Sequence, residues 1–467
     1  MSTFSPVHSL HHIVTSASEV RHVDPQHNLG DVELLHQIGY KQELRRHYST
    51  IQVFGIAFSI MGLLPSIASV FNIGIASGPA GLVWGWFIAS FFIFCIGLSM
   101  SFLGSAIPTS GGLYYYTNYY CPDTFRVPLS FLIGCANSLG LIGGLCSISY
   151  GFAVQVLSAV SISQDGDFDI TNGKCYGVFA ACVVSNMIVS CLATKHAASL
   201  QTASIIINVF LVLLFLIAVP AGFGSGFNSR GFIFGNFENA RDWSVGWSFF
   251  ISLQPAVWVI GAFDSVIHCS EEALSAQRSI PVGILGSIAA CWFLGWFVVI
   301  VCAACIKDGD VARVLDSATG SPMAQIIYDA LGKRWAVAFM SLISMGQYLM
   351  AISITIALSR QIWSFARDDG LPGGLQMGQW LTRAICLVAS CWSVFIIVLA
   401  MFPDSKAVDK ESMNYTVVIN VGVWILSLAY YYTWGYRVYT GPKSNLDEEY
   451  IDGESIPALD EVLHEKV

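Results

Sequence analysis

Charge is what this sequence has least of. Only 11% of its 467 residues are Asp, Glu, Lys or Arg, against roughly 25% in a typical soluble domain. With 55% apolar residues, a water-soluble body of this size could not cover its surface. A cleavable secretory leader is not expected either, because residues 1–47 carry seven of the ten histidines and no apolar core region. Basic character is also missing: the net charge of −9 excludes a general nucleic-acid binder. The 13 cysteines form no disulfide framework, since most of them, such as Cys95, Cys146 and Cys291, sit inside apolar runs as small hydrophobes.

Long apolar runs are abundant. A span needs about 20 apolar residues, and ten runs meet that rule, near 50–77, 80–104, 127–160, 174–194, 199–221, 245–268, 281–305, 335–358, 380–402 and 414–436. None alternates with a period of two, so barrel strands are excluded. The backbone must satisfy itself in lipid, so the runs are helices, and the expected fold is an all-α polytopic membrane protein.

The soluble parts are short. Residues 1–49 read as an N-terminal tail, 50–436 as the membrane domain and 437–467 as a C-terminal tail. Between Ser444 and Val467 lie eight acids and one Lys, the composition of a solvated segment. Loops are expected at Ser161–Lys174, Gly222–Trp243 and Ile306–Arg334. An even span number puts both tails on one side. A cytoplasmic side follows from 13 Lys and Arg inside against 9 outside, with Lys41, Arg45 and Arg46 deciding it; the connecting loops alone give the reverse. The sequon at Asn414 abuts the last span and is expected to stay unused.

Two spans carry Gly, Pro and polar residues at mid-depth. The first reads GIAFSIMGLLPSIAS (Gly55–Ser69) and the sixth QPAVWVIGAFDSVIHCSEEA (Gln254–Ala273). Pro removes a backbone donor and Gly tolerates unwinding. Interruptions five spans apart are what an inverted repeat of five-helix units produces, with a substrate held at the midplane between half-helices. Asp264 is the most informative residue, because a charge at a helix centre costs at least about 2.5–3.5 kcal/mol. From the residues alone it is either the cap of the second half-helix or a contact for substrate or proton. Glu271 and Glu272 follow, and a pair between one of them and Arg360 is expected to close the cytoplasmic path. Asn137, Asn208 and Gln347 are expected to bond between helices. His268 reads as a packed ring rather than a metal ligand, because no second ligand stands at metal spacing. The tyrosines at 114–116 and 119–120 read as an interfacial anchor. No nucleophile–base pattern suggests an enzyme, and no cofactor is expected.

GSAIPTSGGLYYYTNYYCP (Gly104–Pro122), AFDSVIHCSEEALSAQRSIPVGILGSI (Ala262–Ile288), SPMAQIIYDALGKRW (Ser321–Trp335) and SRQIWSFARDDGLP (Ser359–Pro372) resemble motifs of the amino acid–polyamine–organocation (APC) permeases. They are most similar to the fungal amino acid/choline branch and, within it, the GABA-specific permeases. The resemblance implies a LeuT-like inverted-repeat transporter in the plasma or vacuolar membrane, with an amino acid and a proton as its partners. It places the substrate at Ser59, Ile60, Met61 and Gly62 in the first break and at Ala262, Phe263 and Asp264 in the second. N–H groups near Gly62 would take a carboxylate, carbonyls of the sixth span an ammonium, and Phe263 would gate the site. Choline or polyamine is the rival substrate class; a non-transporting isoform or sensor is the rival function. Two departures stand out. Some relatives carry a Lys in the fifth span, and none lies between Leu200 and Ala221 here. Pro372 also runs directly into GGLQMGQW (Gly373–Trp380), so spans nine and ten of a twelve-span family are expected to be absent.

Overall fold

The computed structural model describes residues 31, 34–36, 40, 42–44, 46–192, 197–241, 243–370 and 416–442. Eight long apolar helical segments follow the first eight expected spans in order. Thr416–Thr433 is helical where the last is expected. The run 380–402, the Pro372–Gly373 junction, Asn414, Lys195 and the acidic tail lie outside the described residues.

The first span is two helices, α1 (Thr50–Met61) and α2 (Leu63–Ile75), joined at Gly62. Next come α3 (Gly78–Ala106), the short α4 (Leu113–Tyr120), α5 (Asp123–Ser163), α6 (Asn172–Leu192) and α7 (Ala197–Gly222). A loop helix α8 (Arg230–Gly235) leads into the sixth span, which is built of α9 (Val245–Ile251), α10 (Gln254–Ile260) and a 3₁₀ helix, Phe263–Glu272. Then come α11 (Ala276–Ala304), α12 (Val311–Leu315), α13 (Pro322–Arg367) and α14 (Thr416–Thr433).

Which spans are central follows from burial. In the most apolar stretch of the first, 89% of the residues are buried inside the protein, against 33% in the second. On α7 an outward stripe of Ile206, Phe210, Leu213 and Ile217 recurs every three or four residues, the pattern of a helix with one face to lipid. Leu211 and Phe215 fill its inner face. α3 and α11 approach closely because Gly295 leaves room for the buried Trp86 ring; a Cβ there would lie 2.1 Å from it. The indole N–H donates to Trp292 O at 3.0 Å.

Three sequence expectations change. Ile306–Arg334 is not a plain loop: α12 caps itself through Asp310, whose carboxylate accepts from Arg313 N, and α13 begins at Pro322 and turns at Gly332 (φ 74°). The tyrosine cluster is not an interfacial anchor as a whole, because Tyr114 and Tyr116 are buried. Asp31, Tyr40, Arg46 and Tyr48, expected to be tail, are buried against the bundle or bonded to it. Tyr48 bridges Ala273, with Tyr48 N donating to Glu272 O at 3.0 Å and Leu274 N to Tyr48 O at 2.8 Å. Asp31 accepts from Ser275 N and Ala276 N at 2.7 and 3.1 Å. It thereby caps α11 from a distant part of the chain. We call this the docked end.

Candidate functional site

Gly62 adopts φ 45°, ψ 62°. That left-handed conformation costs a residue with a Cβ roughly 1–2 kcal/mol, and a Cβ here would also lie 2.6 Å from Met350 Sδ. α2 therefore starts at mid-depth with no side-chain cap, and Pro65 has no N–H to satisfy. The N–H groups of Leu63 and Leu64 and the positive end of the helix dipole are left facing the break. Ser66 Oγ donates to Met61 O at 2.7 Å, and Gln155 of α5 donates to Pro65 O at 2.9 Å. These bonds hold the interruption in place.

The sixth span breaks at Gly261–Ala262. α10 ends there with no capping bond from the Gly261 N–H, so its last carbonyls are left without an intrahelical partner. The two half-helices on one side, α2 and α10, pack together, as do α1 and the 3₁₀ helix on the other. The positive end of α2 and the negative end of α10 thus meet at the centre.

Each residue read from the sequence can be placed. Ser59, Ile60 and Met61 are fully enclosed, and Phe263 is buried. Ala262 and Asp264 are half-buried. Asp264 stands in the first turn of the 3₁₀ helix, whose N-cap, Ala262, makes no side-chain capping bond. Ser59 Oγ meets Ser353 Oγ of α13 at 2.9 Å and Ser204 Oγ of α7, and Ser353 Oγ also donates to Gln201 Oε1 at 2.8 Å. That polar cluster escaped the sequence reading, because lone serines in apolar runs carry no pattern. Asn208 bonds its own helix through Ser204 O at 2.9 Å rather than a neighbour. Gln347 bonds across to Ile148 O at 3.1 Å, and Asn137 to His268 Nε2 at 3.1 Å.

Charge gathers at the docked end. Arg360 pairs with Glu272. Glu271 pairs with Arg367 at 3.2 Å through both carboxylate oxygens and accepts from Ser110 N at 3.0 Å. The sequence reading singled out Arg360 and missed Arg367, whose guanidinium also lies 4.1 Å over the Tyr40 ring. Asp368 accepts from Tyr40 and Tyr114 hydroxyls at 2.9 and 2.7 Å. Burial, helped by the Asp368 charge, holds the Tyr40 phenol well above its usual range, so it stays a donor. Arg46 donates to Ala273 O at 2.7 Å. At the opposite end Arg241 is the main polar clip, joining Ile73 O, Ser77 and Ser248. No group of three or more metal-ligating side chains exists among the described residues.

A fold of two interrupted helices packed at their breaks has known counterparts. Mhp1, a nucleobase-cation-symport-1 family transporter, superposes with a TM-score of 0.50 at 10% identity, covering 84% of this chain and 80% of that one. Its likeness shows the fold. The family model for amino acid permeases matches residues 48–376. The chain belongs to the amino acid permease family. The permease is 44% identical to the GABA-specific permease of Saccharomyces cerevisiae, covering 96% of this chain and 92% of that relative. It is 28% identical to an uncharacterized amino-acid permease of Schizosaccharomyces pombe, over 91% of this chain and 92% of the relative. With amino-acid permease 2 of Neurospora crassa the identity is 24% over 87% of the chain and 88% of the relative. The permease is therefore an integral, multi-pass membrane protein of transporter fold. The alignment to the Saccharomyces relative runs to 527 positions, more than the 467 residues of this chain, so at least 60 of those positions are gaps in it.

Proposed function

We propose that the permease moves a small zwitterionic amino acid across the membrane, GABA first, driven by a proton gradient. The observation that carries the reading is the pairing of the uncapped N-terminus of α2 with the C-terminus of α10 at one depth. A carboxylate suits the first and an ammonium the second. A quaternary ammonium such as choline has no use for the α2 end, and a polyamine would need several buried acids near the break. The GABA-specific relative in Saccharomyces cerevisiae supports the substrate choice.

In this reading Ser59, Ile60, Met61 and Gly62 line one side of the substrate, with Ala262, Phe263 and Asp264 on the other. The docked end faces the cytoplasm, and the pairs Glu271–Arg367 and Glu272–Arg360 keep it shut while the opposite end is open. Residues 1–49 and 437–467 lie on the cytoplasmic side.

A second reading has one observation in its favour. The gap of at least 60 aligned positions has the size of a helical hairpin with its loops, which fits the direct run of Pro372 into Gly373. In that case the chain inserts but does not transport.

Radiolabelled uptake in cells lacking their own GABA permeases separates the two. Proton-dependent GABA accumulation, reduced at least tenfold by Asp264→Asn, supports the first reading. No uptake until a two-helix segment is inserted at Pro372–Gly373 supports the second. Accumulation of choline without GABA overturns the substrate choice.

A further inference from the structure

The 3₁₀ half of the sixth span holds a titratable ring that no step above uses. His268 is 1% exposed, and both of its nitrogens are engaged. Nδ1 lies 2.9 Å from the carbonyl oxygen of Ser110, which can only accept, so Nδ1 carries a hydrogen. Nε2 lies 3.1 Å from the amide nitrogen of Asn137, which donates, so Nε2 accepts and the ring is neutral. The ring fits because Gly112 (φ 54°) lacks a side chain; a Cβ there would lie 3.3 Å from His268 Cε1.

Asn137 makes this more than a packed histidine. An amide presents a donor on one side and an acceptor on the other. Turned over, it would offer its oxygen at the point where its nitrogen now stands, and would accept from a protonated Nε2. The site therefore has a matched partner for either protonation state without moving a helix.

The surrounding charges leave one carboxylate for that proton to answer. On the segment itself, Glu272 is committed to Arg360 and Glu271 to Arg367, both of α13. His47 of the docked segment faces Glu272. α1 and α3 carry no charged residue. α5 has only Asp123 and Arg126, paired with each other at its start. The α4 hydroxyls of Tyr114 and Tyr116 donate to Asp368 and Ile107 O, and Arg278 of α11 is exposed. Asp264 stands four positions before His268 on the same 3₁₀ helix and has no arginine partner among the described residues.

One residue links the ring to the closed end. The Ser110 carbonyl receives His268, and the Ser110 N–H donates to Glu271 Oε1 at 3.0 Å. A protonated ring makes a charge-assisted, stronger bond to that carbonyl and so grips the 109–112 turn that also holds Glu271.

We infer that His268 carries the coupling proton, taking it at Nε2 beside Asn137 and relaying its presence through Ser110 to the Glu271–Arg367 closure. This rests on the proton-driven transport proposed above. It assigns the proton to the sixth span in a chain whose fifth span has no lysine.

The test uses the purified full-length chain in proteoliposomes, with radiolabelled GABA and an imposed one-unit pH gradient. The wild type is expected to accumulate GABA about tenfold and to perform GABA counterflow exchange without a gradient. His268→Gln should retain counterflow while accumulation falls to equilibrium. Asn137→Asp, which fixes an acceptor and a negative charge at Nε2, should move the alkaline fall of uptake up by about one to three pH units. Gradient-driven accumulation by His268→Gln at the wild-type level overturns the inference and leaves the transport reading standing. If His268→Gln does not fold, as judged by gel filtration, the Asn137→Asp profile decides: an unmoved profile overturns the inference. A wild type without counterflow overturns the transport reading and this inference with it.

Discussion

The two interrupted spans break in different ways. In the first, one glycine at φ 45° separates two α-helices, and no charged side chain lies anywhere from Thr50 to Ile75. What it offers the centre is backbone, held by Ser66 and Gln155. The sixth is interrupted twice, before Gln254 and again at Gly261–Ala262, and continues as a 3₁₀ helix. That helix carries Asp264, His268, Glu271 and Glu272, with partners on α5, α13 and the docked N-terminal segment. A backbone site keeps one fixed polarity. Side-chain pairs form and break, so they can differ between two states of the bundle. The first span is suited to binding and the sixth to switching.

The largest expected effect tests the switching side. Glu271→Gln removes the two-oxygen partner of Arg367, whose side chain is 9% exposed and keeps only the more distant Asp368 carboxylate at 3.8 Å; breaking a buried pair costs up to about 3–5 kcal/mol. The docked end should open, so that an introduced Ala57→Cys, fully buried in α1, reacts with a water-soluble maleimide at least tenfold faster. Unchanged labelling means that the pair does not close that end.

Next comes the binding side. Gly62→Ala adds about 1–2 kcal/mol of backbone strain and about 1–3 kcal/mol of overpacking against Met350. Thermal unfolding should fall accordingly, and GABA uptake by more than tenfold. Adding Met350→Ala should recover the packing part only. Full recovery would mean that the left-handed backbone at Gly62 has no role of its own.

These two breaks were not equally legible in the sequence. The Gly62 and Gly261 interruptions could be read, because Gly and Pro at mid-span are backbone statements that any neighbour must respect. Asp264 and Arg360 stood out because a charge in an apolar run is conspicuous. The partners were not legible. Arg367 lies just beyond the apolar run and reads as interfacial, and Ser204 and Ser353, the partners of Ser59, look like ordinary small residues in apolar helices. Asp31, His47 and Tyr48 read as tail, because docking there depends on main-chain bonds to Glu272 and Leu274 and on Asp31 capping a helix more than 240 positions away. Long-range pairing of that kind leaves no local period in the sequence.

The smallest effect asks whether the two breaks are independent. Asp31→Ala removes the cap of α11 and should lower stability by about 0.5–2 kcal/mol, read as a shift in thermal unfolding in detergent. Asp31 acts where the sixth span ends and Gly62 where the first is interrupted, so the two share no direct contact. Combined with Gly62→Ala, the losses should add within about 0.5 kcal/mol if the two spans respond separately. A larger departure would mean that α1 and the 3₁₀ helix, which pack side by side, transmit strain from the backbone break to the docked end. Binding at the first span and switching at the sixth would then be two readings of a single movement.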